Sequence, residues 1–323
     1  MPKTQEKPIT RNMPDTEAKD TVAAGNPIIK MMQVVWKFCA KSDAKVHEAQ
    51  TPPAHIEKIA DIPYIDDGNI YHLLDVYYPE KTTEKLPVII DIHGGGWMYG
   101  NKELNEYYCL SLADRGYVVF NLNYRLAPGV TVNKQLQDVA YALKWISENM
   151  DNYPCDTNSI LLTGDSAGGQ LAAYSAVLLQ SGELREIFDV ADGNMELSAL
   201  LLTSPFPFMN SKTPFSLYTK ILWGRNYKKK STYKYMNLDE IIDYAQLPPT
   251  YLITSSGDAL ARGQTLKTAR LLKSKGVEYK LADYGKIDGK TLGHVFSVLE
   301  PFDTAGKTAI DEALAFYRKV IEN

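Results

Sequence analysis

The chain is 323 residues long, with 45% hydrophobic residues, 23% charged residues and a formal net charge of −4, a balance typical of a globular protein and without general attraction for nucleic acid. Cys39, Cys109 and Cys155 are widely spaced with no C-x-x-C pair, and the five histidines show no H-E-x-x-H spacing, so neither a disulfide framework nor a metal site is expected. The length accommodates one large α/β domain with a cap, or two smaller domains.

Residues 1–26 are rich in Lys, Thr, Glu, Asp and Pro and lack the apolar core of a secretory signal, which predicts a disordered tail and a cytoplasmic protein. Residues 28–41 are apolar but carry Lys30, Gln33, Lys37 and Lys41 at three- and four-residue steps. That spacing predicts a helix with a narrow polar stripe, too short and too charged to insert stably in a bilayer. It reads as part of an N-terminal cap segment, 27–60, packed over a main domain of 61–323, with contact to a lipid surface as the alternative.

Residues 73–78 alternate apolar and polar, and 87–92 form a continuous apolar run entering His93-Gly94-Gly95-Gly96-Trp97; both predict strands. A third strand, 117–123, precedes Tyr124-Arg125-Leu126-Ala127-Pro128, and a helical period over 133–150 places Val139, Leu143 and Ile146 on one face. A short buried strand at 159–163 runs into Gly164-Asp165-Ser166-Ala167-Gly168, and the small apolar stretch 167–179 reads as the helix behind it. Strands at 197–203, 250–255 and 277–284, with a helix at 266–275, complete an alternation that implies a mostly parallel central sheet flanked by helices. In such sheets the loops bearing Gly94, Ser166 and Asp258 emerge together at the carboxyl ends of strands. Between 204 and 249 the aromatics Phe206, Phe208, Phe215, Tyr218, Trp223, Tyr227, Tyr233 and Tyr235 crowd a Lys- and Ser-rich stretch. This is the expected cap insertion, its aromatics either lining a pocket or packing cap on core; Lys228 to Lys230 read as a solvated turn.

The G-x-S-x-G run is a nucleophile elbow, in which small neighbours allow a tight strand-to-helix turn to lift Ser166 Oγ clear of the backbone. The His93-Gly94-Gly95-Gly96 loop supplies unsubstituted backbone whose N–H groups reach the oxyanion formed on attack, with the N–H of Ala167 as a further donor. Spacing does not say which two of Gly94, Gly95 and Gly96 donate. A serine hydroxyl needs a histidine base and an orienting carboxylate. Asp258 follows the 250–255 strand and His294 lies beyond the 277–284 strand, whereas the other four histidines precede Ser166; Asp283 and Asp288 are alternative acids. His93 and Asp165 read as loop braces, and Arg125 as a loop anchor paired with a carboxylate. Together these features predict an esterase.

HGGGW at 93–97, YRLAP at 124–128, GDSAGG at 164–169 and Leu247-Pro248-Pro249-Thr250 before the acid strand resemble the hormone-sensitive-lipase-like branch of α/β-hydrolases, a family of esterases and lipases. The resemblance runs from about residue 75 to the end of the sequence. It implies an α/β-hydrolase fold with a helical cap, and cofactor-independent hydrolysis of small carboxylic esters with short or medium acyl chains. It places the nucleophile on Ser166, the acid on Asp258 and the base on His294. Ala259 stands where proline commonly follows the acid, Val295-Phe296 replaces glycine-phenylalanine after the base, and 286–292 is longer than usual. Amide cleavage or carbohydrate deacetylation on the same triad, and a catalytically silent ligand-binding protein, stay open as alternatives.

Overall fold

A computed structural model describes residues 26–209 and 218–322. Apart from Asn26, the tail expected over 1–26 lies outside the described residues, as do Phe215 and the rest of 210–217. The first half of the chain forms α1 (Pro27–Glu48), β1 (Ile56–Pro63), β2 (Leu73–Pro79), β3 (Leu86–Ile92), α2 (Glu106–Ala113), β4 (Val118–Leu122) and α3 (Val132–Asn149). It continues through β5 (Cys155–Asp165), α4 (Ser166–Leu178), α5 (Gly182–Phe188), β6 (Ala199–Thr203), α6 (Thr219–Trp223) and α7 (Leu238–Ile241). The last elements are β7 (Thr250–Ser255), α8 (Arg262–Ser274), β8 (Tyr279–Tyr284), α9 (Phe296–Leu299) and α10 (Thr304–Ile321).

The eight strands form one sheet in the order β1-β2-β4-β3-β5-β6-β7-β8. The pairs β1·β2 and β2·β4 are antiparallel and the rest parallel, so the mostly parallel sheet flanked by helices is as expected. Both faces of the central strands are buried. Val88, Ile90 and Ile92 of β3 face one core with Phe120 and Leu162, while Ile89 faces the other with Val119 and Leu161. Period-2 alternation between two dry layers makes both faces of 87–92 apolar except at Asp91, whose carboxyl is buried with Ile89 on the second face. The first core is covered by α3, α4, α5 and α8, the second by α2 and α10. Each fully buried Val, Leu or Ile contributes roughly 1.5–3 kcal/mol of apolar burial.

Helix α1 extends the predicted 28–41 helix at both ends. Asn26 caps it by accepting from the Ile28 N–H (2.9 Å). Its inner face buries Ile29 and Met32 in the first core, stacks Trp36 on Tyr99 at 5.5 Å and has Asp43 accepting from the Tyr99 hydroxyl (3.0 Å). In the 204–249 stretch, Phe206, Phe208, Trp223, Leu238 and Ile241 pack into the same first core, whereas Tyr233 is exposed.

Arg125 anchors its loop as the sequence suggests, pairing with Asp138 through Nη2 (2.6 Å) and Nε (2.9 Å). Next to this pair, buried His72 has Nδ1 2.8 Å from Asp67 Oδ2 and Nε2 3.5 Å from Asp138 Oδ1, the latter an ion-pair distance. Burial opposes charge on His72, but Asp138 and Asp67 outweigh it and hold its pKa above the ordinary value. A raised folded-state pKa means that this contribution to stability is complete below the unfolded value, about 6.5, and disappears as pH rises through the folded one. Urea unfolding should therefore give wild type a larger advantage over His72→Gln at pH 6 than at pH 8.5; an equal margin at both would show that the imidazole carries no stabilising charge.

Candidate active site

Four segments converge at the carboxyl ends of β3, β5, β7 and β8. Strand β5 ends at Asp165 and α4 begins at Ser166, whose φ of 52° lies in the left-handed region. That conformation is strained for a residue with a Cβ and holds Oγ off the helix axis. It requires close packing behind: a side chain at Gly168 would strike the backbone oxygens of Ile92 and His93. The elbow is therefore wedged against the end of β3.

Ser166 Oγ is 3.0 Å from His294 Nε2, and His294 Nδ1 is 3.1 Å from each carboxylate oxygen of Asp258. Asp258 is buried, and its Oδ1 also accepts from the N–H groups of Leu260 (3.1 Å) and Ala261 (2.8 Å). Burial pushes this carboxyl up, but the hydrogen bond and charge of His294, with Ser204 and the Ala261 N–H, outweigh it and hold its pKa below the usual value. An ionised Asp258 fixes the imidazole with Nδ1 protonated and Nε2 free to accept from Ser166. The His294 loop is drawn onto the end of β7 by the Ser255 hydroxyl, which donates to the Leu292 carbonyl (2.7 Å). Of the alternative acids, Asp283 is paired with Arg262 (2.7 Å) and Asp288 is exposed; neither joins the cluster.

The glycine loop is braced from two sides. Tyr124 stacks on His93 at 4.3 Å and its hydroxyl donates to the His93 carbonyl (2.9 Å), while His93 Nδ1 donates to the Gly94 carbonyl (2.8 Å). Burial pushes the His93 pKa down to about 4, so this ring is neutral. Gly94, grouped with the oxyanion donors on sequence grounds, is placed otherwise: its N–H donates to Asp165 Oδ1 (2.9 Å). A donor committed to a buried carboxylate is not available to a substrate oxygen. Gly95 and Gly96 follow with φ of 104° and 57°, and Ala167 lies in the first turn of α4, where a helix leaves N–H groups without intrahelical acceptors. Of the four candidate donors, Gly95, Gly96 and Ala167 are then the ones to weigh for an oxyanion.

Two neighbours of the site carry little signal in sequence. Phe206 stands edge-on to His294 at 6.0 Å and to Trp97 at 6.4 Å, an apolar wall beside the imidazole. Below the loop, the Asn105 side-chain amide donates both to Asp165 Oδ1 (2.9 Å) and to Asp91 Oδ2 (2.8 Å). Burial, with the nearby Asp165 charge, pushes the Asp91 pKa up to about 8. For an acid whose folded pKa is raised, stability is greatest with the proton on and declines as pH climbs from the unfolded value, about 3.9, to the folded one. Asp91→Asn keeps an acceptor for Asn105 and removes the titration. Thermal melts should show a smaller fall in stability between pH 5 and 8 in this variant than in wild type and exceed wild type at pH 8.5; an unchanged pH slope would show that Asp91 does not contribute to the titration.

The BD-FAE family model matches residues 74–260 of the chain. Esterase LipQ of Mycobacterium tuberculosis is 32% identical over 143 residues, 43% of this chain but 34% of that protein; the chain thus spans about a third of the length of that curated relative. Carboxylesterase NlhH from the same species is 25% identical over 249 residues, 74% of this chain and 78% of that protein. Esterase B from Lactobacillus rhamnosis, solved with a C4-C4 tributyrin phosphonate inhibitor, superposes with a TM-score of 0.87 at 29% identity, covering 92% of this chain and 96% of that one. The fold is that of the α/β-hydrolases. Since the matched segment takes in the glycine loop, the elbow and the Asp258 turn, the chain belongs to the BD-FAE family.

Proposed function

We propose that the protein is a serine hydrolase of carboxylesterase type that cleaves small carboxylic esters through an acyl-enzyme on Ser166. The observation that carries this reading is the continuous Ser166–His294–Asp258 hydrogen-bond chain, closed at 3.0 and 3.1 Å. Oγ attacks the ester carbonyl as His294 Nε2 takes its proton, and buried Asp258 stabilises the imidazolium. The N–H groups of Gly95, Gly96 and Ala167 receive the oxyanion. Protonated His294 then releases the alcohol, and water repeats the sequence to free the acid.

Helix α1 and the described parts of 204–249 form the cap in this reading, with Phe206 of that segment edge-on to His294 of the triad. The reading takes the substrate to have a short or medium acyl chain, supported by the tributyrin phosphonate that inhibits esterase B. A p-nitrophenyl ester series from acetate to palmitate tests both points. A burst of nitrophenol equal to the enzyme concentration and a maximum at or below about eight carbons are expected. No turnover of any ester would reject the reaction, and a maximum at palmitate would reject the acyl range.

A further inference from the structure

Helix α1 has two apolar faces, and among the described residues only one of them meets the rest of the protein. The inner face carries Ile29, Met32 and Trp36. On the opposite side Met31, Val34, Val35 and Phe38 are 54, 53, 43 and 69% exposed, at the i, i+3, i+4, i+7 spacing that makes one continuous stripe on a helix. Scattered exposed apolar residues are ordinary; four aligned on one helix are an interaction surface.

The charges beside the stripe say what it fits. Lys30, Lys37, Lys41 and Lys45 are all exposed, and at 100° per residue they follow one flank of the stripe. The acidic residues of α1 are Asp43, turned inward to the Tyr99 hydroxyl, and Glu48 at the helix end. Although the whole chain carries a net charge of −4, this face is cationic and apolar. Two copies meeting stripe to stripe would bring their lysines together with little acid to answer them. A layer of anionic headgroups over acyl chains matches both properties: Phe38 and its neighbours enter the acyl boundary while the lysine stems lie along it with their ammonium groups among the headgroups.

We infer that the outward face of α1 docks the protein on an anionic lipid surface through Met31, Val34, Val35 and Phe38, with Lys30, Lys37, Lys41 and Lys45 holding the headgroups. The contact is peripheral, as no helix among the described residues is long and apolar enough to cross a membrane. The inner face of the same helix lays Trp36 over Gly96, so docking brings the glycine loop close to the lipid boundary. The advantage of that placement rests on the ester-hydrolase reading; the docking itself does not.

Co-sedimentation of the full chain with vesicles of phosphatidylcholine alone, or with about 30% phosphatidylserine, tests the inference. Binding to the serine-containing vesicles should exceed binding to the neutral ones at least about tenfold and weaken severalfold in about 0.5 M NaCl. Val34→Glu/Phe38→Glu, at positions already in solvent, should lower vesicle binding about tenfold or more and leave turnover of a water-soluble aryl ester within about twofold. Ser166→Ala should bind vesicles like wild type, which separates docking from catalysis. No binding to the anionic vesicles at low salt, or binding indifferent to the double substitution, overturns the proposal. So does a concentration-dependent dimer in sedimentation velocity that the double substitution abolishes, since the stripe would then belong to a second copy.

Discussion

Ser166→Ala should lower kcat by on the order of 10⁴-fold or more on a water-soluble aryl ester, with KM little changed. The variant keeps the Cβ and thus the same steric demand at φ 52°, so the elbow retains its shape and loses only the oxygen. His294 remains bonded to Asp258 (3.1 Å), and its ring is partly open to water. The imidazole is therefore not left as an unpaired buried group, and stability should stay within about 1 kcal/mol. Because the triad acts as a unit, adding His294→Ala to Ser166→Ala should cost little more than either change alone. Single-turnover rates of the two single variants and the double variant measure this coupling. Additive losses would mean that serine and histidine serve separate steps, and a Ser166→Ala enzyme near wild-type rate would remove the proposed nucleophile.

Gly95→Ala should reduce kcat by about 10²-fold or more, the loss typical of displacing an oxyanion donor. At φ 104° an L side chain is strained wherever it sits, and here its Cβ would also run into the backbone carbonyl of Tyr99. That carbonyl belongs to a turn closed by the Tyr99 N–H on the Gly95 carbonyl (3.0 Å), so the glycine loop must shift and carry the Gly95 and Gly96 N–H groups with it. A control separates backbone strain from the collision. Gly116 has a φ of 88° with nothing near its missing Cβ, so Gly116→Ala should lose about 1–3 kcal/mol of stability and no activity. Equal kcat losses in both variants, or full activity in a folded Gly95→Ala enzyme, would count against the oxyanion assignment.

The sequence makes the chemistry more legible than its surroundings. Strands leading into the glycine loop and the elbow stand out because both sheet faces are dry and the loops need small residues at stated places. Strand β1 is not legible in the sequence, since its apolar residues follow no period of two, and its register with β2 shifts between Ile59 and Ile62. Helix α10 does carry sequence signals: Asp303 caps it (2.6 Å to the Gly306 N–H), and Ala309, Ile310, Ala313, Leu314 and Tyr317 form its buried face. The commitment of Gly94 to Asp165 depends on how β3 and β5 lie side by side, which local pattern does not contain. The glycine-to-valine departure after His294 has a physical cost visible only in the folded chain. Val295 adopts φ 48°, a left-handed conformation unfavourable to a β-branched residue.

A methyl group on Gly96 would meet the Trp36 ring at 2.7 and 2.8 Å. Tolerance to change at these two positions is therefore epistatic: a bulkier residue at 96 calls for a smaller one at 36. Chimeras that import a foreign leading helix while keeping the native HGGG segment will carry a mismatch at this seam. Helix and loop have to be exchanged as one cassette.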